Sequence, residues 1–90
     1  METTTQDLTT LSISALASLI WDDWSKQGKG VNFAAKPYLE AMLDLQNITD
    51  KYMFETGLSV VCYFLSNAGT WKGETAKAVK KELKRRAGIK

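Results

Sequence analysis

Two adjacent carboxylates set between two indoles, Trp21-Asp22-Asp23-Trp24, are the first residues along the chain whose types could do chemistry. A carboxylate pair does general acid and base work only when both groups face one reacting centre. Neighbouring helix positions point about 100° apart, so Asp22 and Asp23 do not converge. The chain has no His, which removes the commonest general base, the commonest zinc ligand and every Ser-His or Cys-His pair. Its one cysteine, Cys62, lies in the most apolar stretch, Leu58 to Leu65, where a thiol behaves as a small hydrophobe and not as a nucleophile. A single Cys also allows no internal disulfide. No Ser is followed three residues later by Lys, and Gly28-Lys29-Gly30 lacks the spacing of a phosphate-binding P-loop. The expectation is a noncatalytic chain with no catalytic residues, no metal ligands, no cofactor and no small-molecule substrate.

What remains is charge and aromatic surface. Residues 1–70 hold eight acids against four bases, a balance of −4, whereas residues 71–90 hold eight bases against two acids, a balance of +6. The net charge of +2 hides this segregation. Lys72, Lys77, Lys80, Lys81, Lys84 and Arg85 are candidate nucleic-acid contacts, since clustered bases gain affinity by displacing the counterions of a phosphate backbone. The same bases also suit a solvated helix face whose C-terminal cations offset the macrodipole. Trp21, Asp22 and Asp23 are candidate protein-interaction residues, with Trp24 assigned to the core by spacing and Trp21 left as an exposed anchor. The alternative for Trp21 is a wide buried face with a satisfied indole N–H. The two Asp read equally as a counter-surface for the basic segment, within the chain or between chains.

The elements that must position these residues follow from periodicity. Ninety residues, 44% of them apolar, suffice for one domain with a single core. Residues 1–10 read as a flexible Thr-rich tail and residues 11–90 as one helical domain. Ile13, Leu16, Ile20 and Trp24 share one helix face behind a cap at Thr10 or Ser12, and the Gly28 and Gly30 loop stops that helix. Pro37 fits a first turn, and Tyr38, Ala41 or Met42, Leu45, Ile48 and Tyr52 extend the second helix until it is the longest. The pattern lapses over Lys51–Gly57, and Glu55-Thr56 can cap a third helix that is apolar almost all round and therefore central. Thr70 is the expected cap of a fourth helix ended by Gly88, with Trp71 and Lys72 at its start. The reading is an all-α domain with helices at about 12–26, 34–51, 57–67 and 71–86. The third helix, the turn at Gly69 and the fourth helix together suggest a helix-turn-helix layout.

No run approaches the roughly 20 apolar residues of a bilayer span. The opening Met1-Glu2-Thr3-Thr4-Thr5-Gln6-Asp7 is acidic and polar, unlike a secretion signal, so a cytoplasmic location is expected. Three strings, Pro37-Tyr38-Leu39-Glu40-Ala41-Met42, Tyr63-Phe64-Leu65-Ser66-Asn67-Ala68 and Trp71-Lys72-Gly73-Glu74-Thr75-Ala76-Lys77, resemble small phage- or prophage-encoded proteins of uncharacterised function. The resemblance spans roughly residues 14–86 and implies a mobile-element origin, with no activity and no site attached. Two readings follow: a protein-interaction module that binds another protein or itself, and alternatively a small nucleic-acid-binding protein using its basic C-terminal helix.

Overall fold

The computed structural model describes residues 8–52 and 55–88. Four helices occur in chain order, α1 (Ile13–Trp24), α2 (Lys36–Met42), α3 (Gly57–Ser66) and α4 (Glu74–Ala87). This is the all-α, four-helix class expected from the periodicity. The first seven residues of the expected tail lie outside the described part, while Leu8–Thr10 forms a 3-10 turn with Leu8 packed against the core.

Helix α1 forms as its pattern requires. Ser12 Oγ accepts the N–H of Ala15 at 3.0 Å, and Ile13, Leu16, Ala17, Ile20 and Trp24 are buried. Two further N-terminal donors have no partner within the helix, and Ile13 and Ser14 give them to the carbonyls of Gln46 (2.9 Å) and Leu45 (2.7 Å). That arrangement explains the largest departure from the sequence reading. The second helix was expected over 34–51 and as the longest, yet α2 covers only Lys36–Met42 and α4 is the longest at 14 residues. Leu45 and Gln46 carbonyls that point at α1 cannot continue a helix of their own. Asp50 completes the break, its Oδ2 accepting from both Gln46 and Asn47 N–H at 3.0 Å.

The lapse over 51–57 is a short antiparallel pair, β1 (Lys51–Tyr52) and β2 (Glu55–Thr56), with Lys51 opposite Thr56 and Tyr52 opposite Glu55. Thr56 then caps α3, accepting from Ser59 N–H at 3.1 Å. Gly57 opens that helix against the 47–48 turn so tightly that a Cβ there would stand 2.7 Å from the Ile48 carbonyl oxygen.

No helix is central. Helix α1 packs on α2 and α4, and α3 packs on the same two, so the four close a ring around a shared core. Helix α3 buries Val60, Val61 and Phe64 but leaves Leu58 and Tyr63 exposed. The continuous apolar run that made it look surrounded is divided between a core face and a surface face. Helix α4 begins at Glu74 behind Gly73, whose φ of 107° suits glycine, and not behind Thr70; Gly88 ends it in the left-handed region. The Cα radius of gyration is 12.3 Å. No described helix is long and apolar enough to cross a membrane.

Candidate functional site

The Trp21–Trp24 segment turns out to be a latch between α1 and the approach to α4. Trp71 is fully buried and stacks on Trp24 with ring centres 5.9 Å apart and planes 18° apart, while Phe64 meets Trp24 edge-on at 6.2 Å. Burial of Trp71 obliges its indole N–H to find an acceptor, and Asp23 Oδ2 receives it at 2.8 Å. The same oxygen accepts from the Gln27 amide at 3.1 Å. Gln27 in turn donates to the Lys72 carbonyl at 2.7 Å and accepts the Lys72 N–H at 3.1 Å, so its side chain holds the backbone of one residue at both its polar groups.

Asp23 Oδ2 is therefore engaged within the fold, by Trp71 and Gln27. Asp22 pairs locally with Lys26 at 3.3 Å on an exposed helix flank. Trp21, expected as an exposed anchor, is half-buried and packs against the core. Among the described residues, neither Asp is paired with a base of α4. The expected interaction triad is thus one structural carboxylate, one screened ion pair and one core-edge indole.

The basic helix divides differently. Arg85 and Arg86 close on Glu82, with Arg85 at 2.7 Å and Arg86 at 2.6 Å from Oε2, and Arg86 also donates to the Leu8 carbonyl at 2.7 Å. Glu82 is only 6% exposed, and its carboxyl is lowered to about 2, chiefly by the Arg85 hydrogen bond and further by Arg86, against the opposing effect of burial. Lys80 reaches back to donate to the Trp71 carbonyl at 2.8 Å and lies 5.7 Å from the centre of that indole. Burial lowers the Lys80 pKa, and the neighbouring charges of Lys72 and Lys84 lower it further.

Four candidates stay open. Lys72, Lys77, Lys81 and Lys84 are exposed, and among the described residues none of their ammonium groups has an ion pair or hydrogen bond. Positions 77, 81 and 84 repeat at i, i+4 and i+7, which gathers them within about 60° of the helix circumference. Lys72, Lys77 and Lys80 also line one groove of about 420 Å³, with Trp71 and Glu74 beside them. No three acidic or sulfur side chains are gathered as metal ligands among the described residues.

The helix-turn-helix expectation is not met in its details. Residues 67–73 separate α3 from α4, a longer connection than the usual three or four, and it carries the buried Ala68 and Trp71. The N-terminal half of α4, which would read bases, spends Ala76 and Val79 on the core.

Phe33 escaped the sequence reading. It is 88% exposed, the most exposed large hydrophobic of the described chain, and lines a groove of about 540 Å³ with Gln27, Lys29, Asn32, Thr70 and the edge of Trp24. The available signal was an aromatic just beyond a Gly-rich loop with no periodic partner. Compared with known proteins, the chain matches no family model, no curated protein and no solved structure.

Proposed function

We propose that this chain is a noncatalytic binding module whose working surface is the lysine face of α4, and that the surface takes the phosphate backbone of a nucleic acid. One observation carries the reading: Lys77, Lys81 and Lys84 share one face of α4, Lys72 lies beside Lys77 along one groove, and among the described residues none of the four has a carboxylate partner, while the acids of α1 are engaged elsewhere. Gathering like charges opposes folding through mutual repulsion, which a polyanion relieves and a buried structural role does not explain. Phosphate contacts of this kind position a chain on its ligand without reading sequence. This agrees with an α4 that turns apolar side chains, not base-reading ones, through its first half.

An anisotropy titration against labelled DNA over a range of salt tests it. The logarithm of affinity should fall linearly with the logarithm of salt, with a slope set by about 0.9 per phosphate neutralised on a duplex or about 0.7 on a single strand. Lack of binding at low salt removes the reading.

A second reading rests on a different face. Tyr38 of α2 stacks on Tyr63 of α3 with centres 5.4 Å apart, and Tyr63 is exposed, as are Leu43 and Leu58. Such aromatics suit a protein partner or a second copy of the chain. Sedimentation at rising protein concentration decides it, with a strict monomer that keeps Tyr63 free counting against self-association. A mobile-element origin, implied by the resemblance to small phage-encoded proteins, would suit either a genome-associated or a host-directed role.

A further inference from the structure

We propose that the groove beside Phe33 holds an unpaired nucleobase stacked on that ring, so that the module prefers single-stranded over duplex nucleic acid. The inference rests on the phosphate reading of α4 and deepens it. Phe33 is presented, not merely left over. Val31 packs against the core and Ala35 is fully buried, so the residue midway between these two anchors is forced outward. Asn32 fixes the bend by accepting the Ala34 N–H at 2.8 Å, and the carbonyl of Asn32 receives the N–H groups of both Ala35 and Lys36. The backbone that carries Phe33 is thus fixed before any ligand arrives, so a base that covers the ring has no loop to order.

The surroundings select the occupant. The groove carries the Lys29 ammonium and the Thr70 hydroxyl, two hydrogen-bonding groups without partners among the described residues, beside the apolar surface of Val31 and Phe33. A flat heterocycle with polar edges matches that mixture, whereas an aliphatic ligand would leave the polar groups dry. The groove lies next to the lysine surface: Gln27, which lines it, holds the backbone of Lys72 through two hydrogen bonds, and Lys72 lines the neighbouring groove together with Lys77 and Lys80. A stacking platform beside a cationic track is the arrangement by which single strands are held without sequence preference. A duplex offers phosphates to α4 but keeps its bases stacked inside, out of reach of Phe33.

The test uses the full chain, fluorescein-labelled oligothymidylate, an abasic oligomer with the same number of phosphates, and a duplex of equal length at low salt. Oligothymidylate should bind more tightly than the duplex and the abasic strand. Phe33→Ala should weaken oligothymidylate binding about ten-fold or more, the scale of one lost stack, and leave duplex and abasic binding unchanged. Phe33→Trp should keep the preference. Because Phe33 is so exposed, both variants should unfold at the wild-type urea midpoint. Equal loss on all three probes, or none on oligothymidylate while Lys77→Gln/Lys81→Gln/Lys84→Gln still weakens binding, overturns the base pocket and leaves the α4 reading standing. Failure of the wild type to bind any probe overturns both.

Discussion

Replacing Glu82 by Gln should expose how the end of α4 is held. The carboxylate is 6% exposed and lies between Arg85, whose side chain is 60% exposed, and Arg86, at 13%. Gln keeps the shape but removes the charge, leaving Arg86 largely buried beside a neutral amide. The folded carboxyl titrates at about 2 against an ordinary 4.5. At about 1.4 kcal/mol per pH unit that difference corresponds to about 3 kcal/mol, which solvent screening on the Arg85 side reduces to about 2. Urea unfolding followed by the indole fluorescence of Trp24 and Trp71 reads this directly. At pH 7 Glu82→Gln should lose about 2 kcal/mol, and its midpoint temperature should drop by about 10 °C for a domain of this size. The pH dependence carries the sharper signature. Below pH 4.5 the unfolded chain takes up a proton that the folded chain refuses until about pH 2, so wild-type stability falls as pH is lowered through that window. The variant lacks this contribution, and the two curves should converge near pH 2. If Glu82→Gln lies within about 0.5 kcal/mol of wild type at pH 7, the pairing is not structural. If it retains the full acid loss, the window belongs to other carboxylates.

Three further outcomes follow from the geometry. Asp23→Ala leaves the buried Trp71 indole N–H without its acceptor and should cost about 1–3 kcal/mol in urea unfolding, with a change in the near-ultraviolet indole signal as Trp71 loses its hold. Gly57→Ala sets a methyl 2.7 Å from the Ile48 backbone oxygen and should cost about 1–3 kcal/mol, measured by thermal unfolding, since neither backbone can give way cheaply. The combined Lys77→Gln/Lys81→Gln/Lys84→Gln chain should be as stable as wild type or slightly more so, while its duplex binding loses up to about 2.7 from the salt slope. An unchanged slope would show that those ammonium groups touch no phosphate.

Three of the caps and the main core face were legible in the sequence because each depends on a few local residues, whereas the Thr70 cap expected for α4 was not found. Ser12, Thr56 and Gly88 act where their types require, and Trp24 is core because its offset from Ile13, Leu16 and Ile20 leaves no other face. Helix 2 was not legible past Met42. Its apolar spacing is genuine, and Leu45 is buried, but the carbonyls there serve the N-terminus of α1, a demand set by tertiary placement. The site divided for the same reason. Nothing local distinguishes Asp22 from Asp23, yet one faces water and the other meets an indole 48 residues away. Lys80 and Lys81 are adjacent, and only the burial of Trp71 tells which of them is drawn inward. Phe33 broke the helical rhythm and so fell between elements that periodicity describes well.

The contact between Arg86 and the Leu8 carbonyl, 78 positions apart in the chain, brings the two ends of the described fold side by side. A fold that begins and ends at one point can be spliced into a surface loop of another protein without being stretched, or rejoined through a short linker and reopened elsewhere. The exposed turn around Gly69 and Thr70 offers such a reopening point, although it lies beside the groove that Phe33 lines. In evolutionary terms a unit with adjoining ends is portable: it can be carried within a larger chain as one piece, with the lysine face of α4 and the Phe33 loop travelling together.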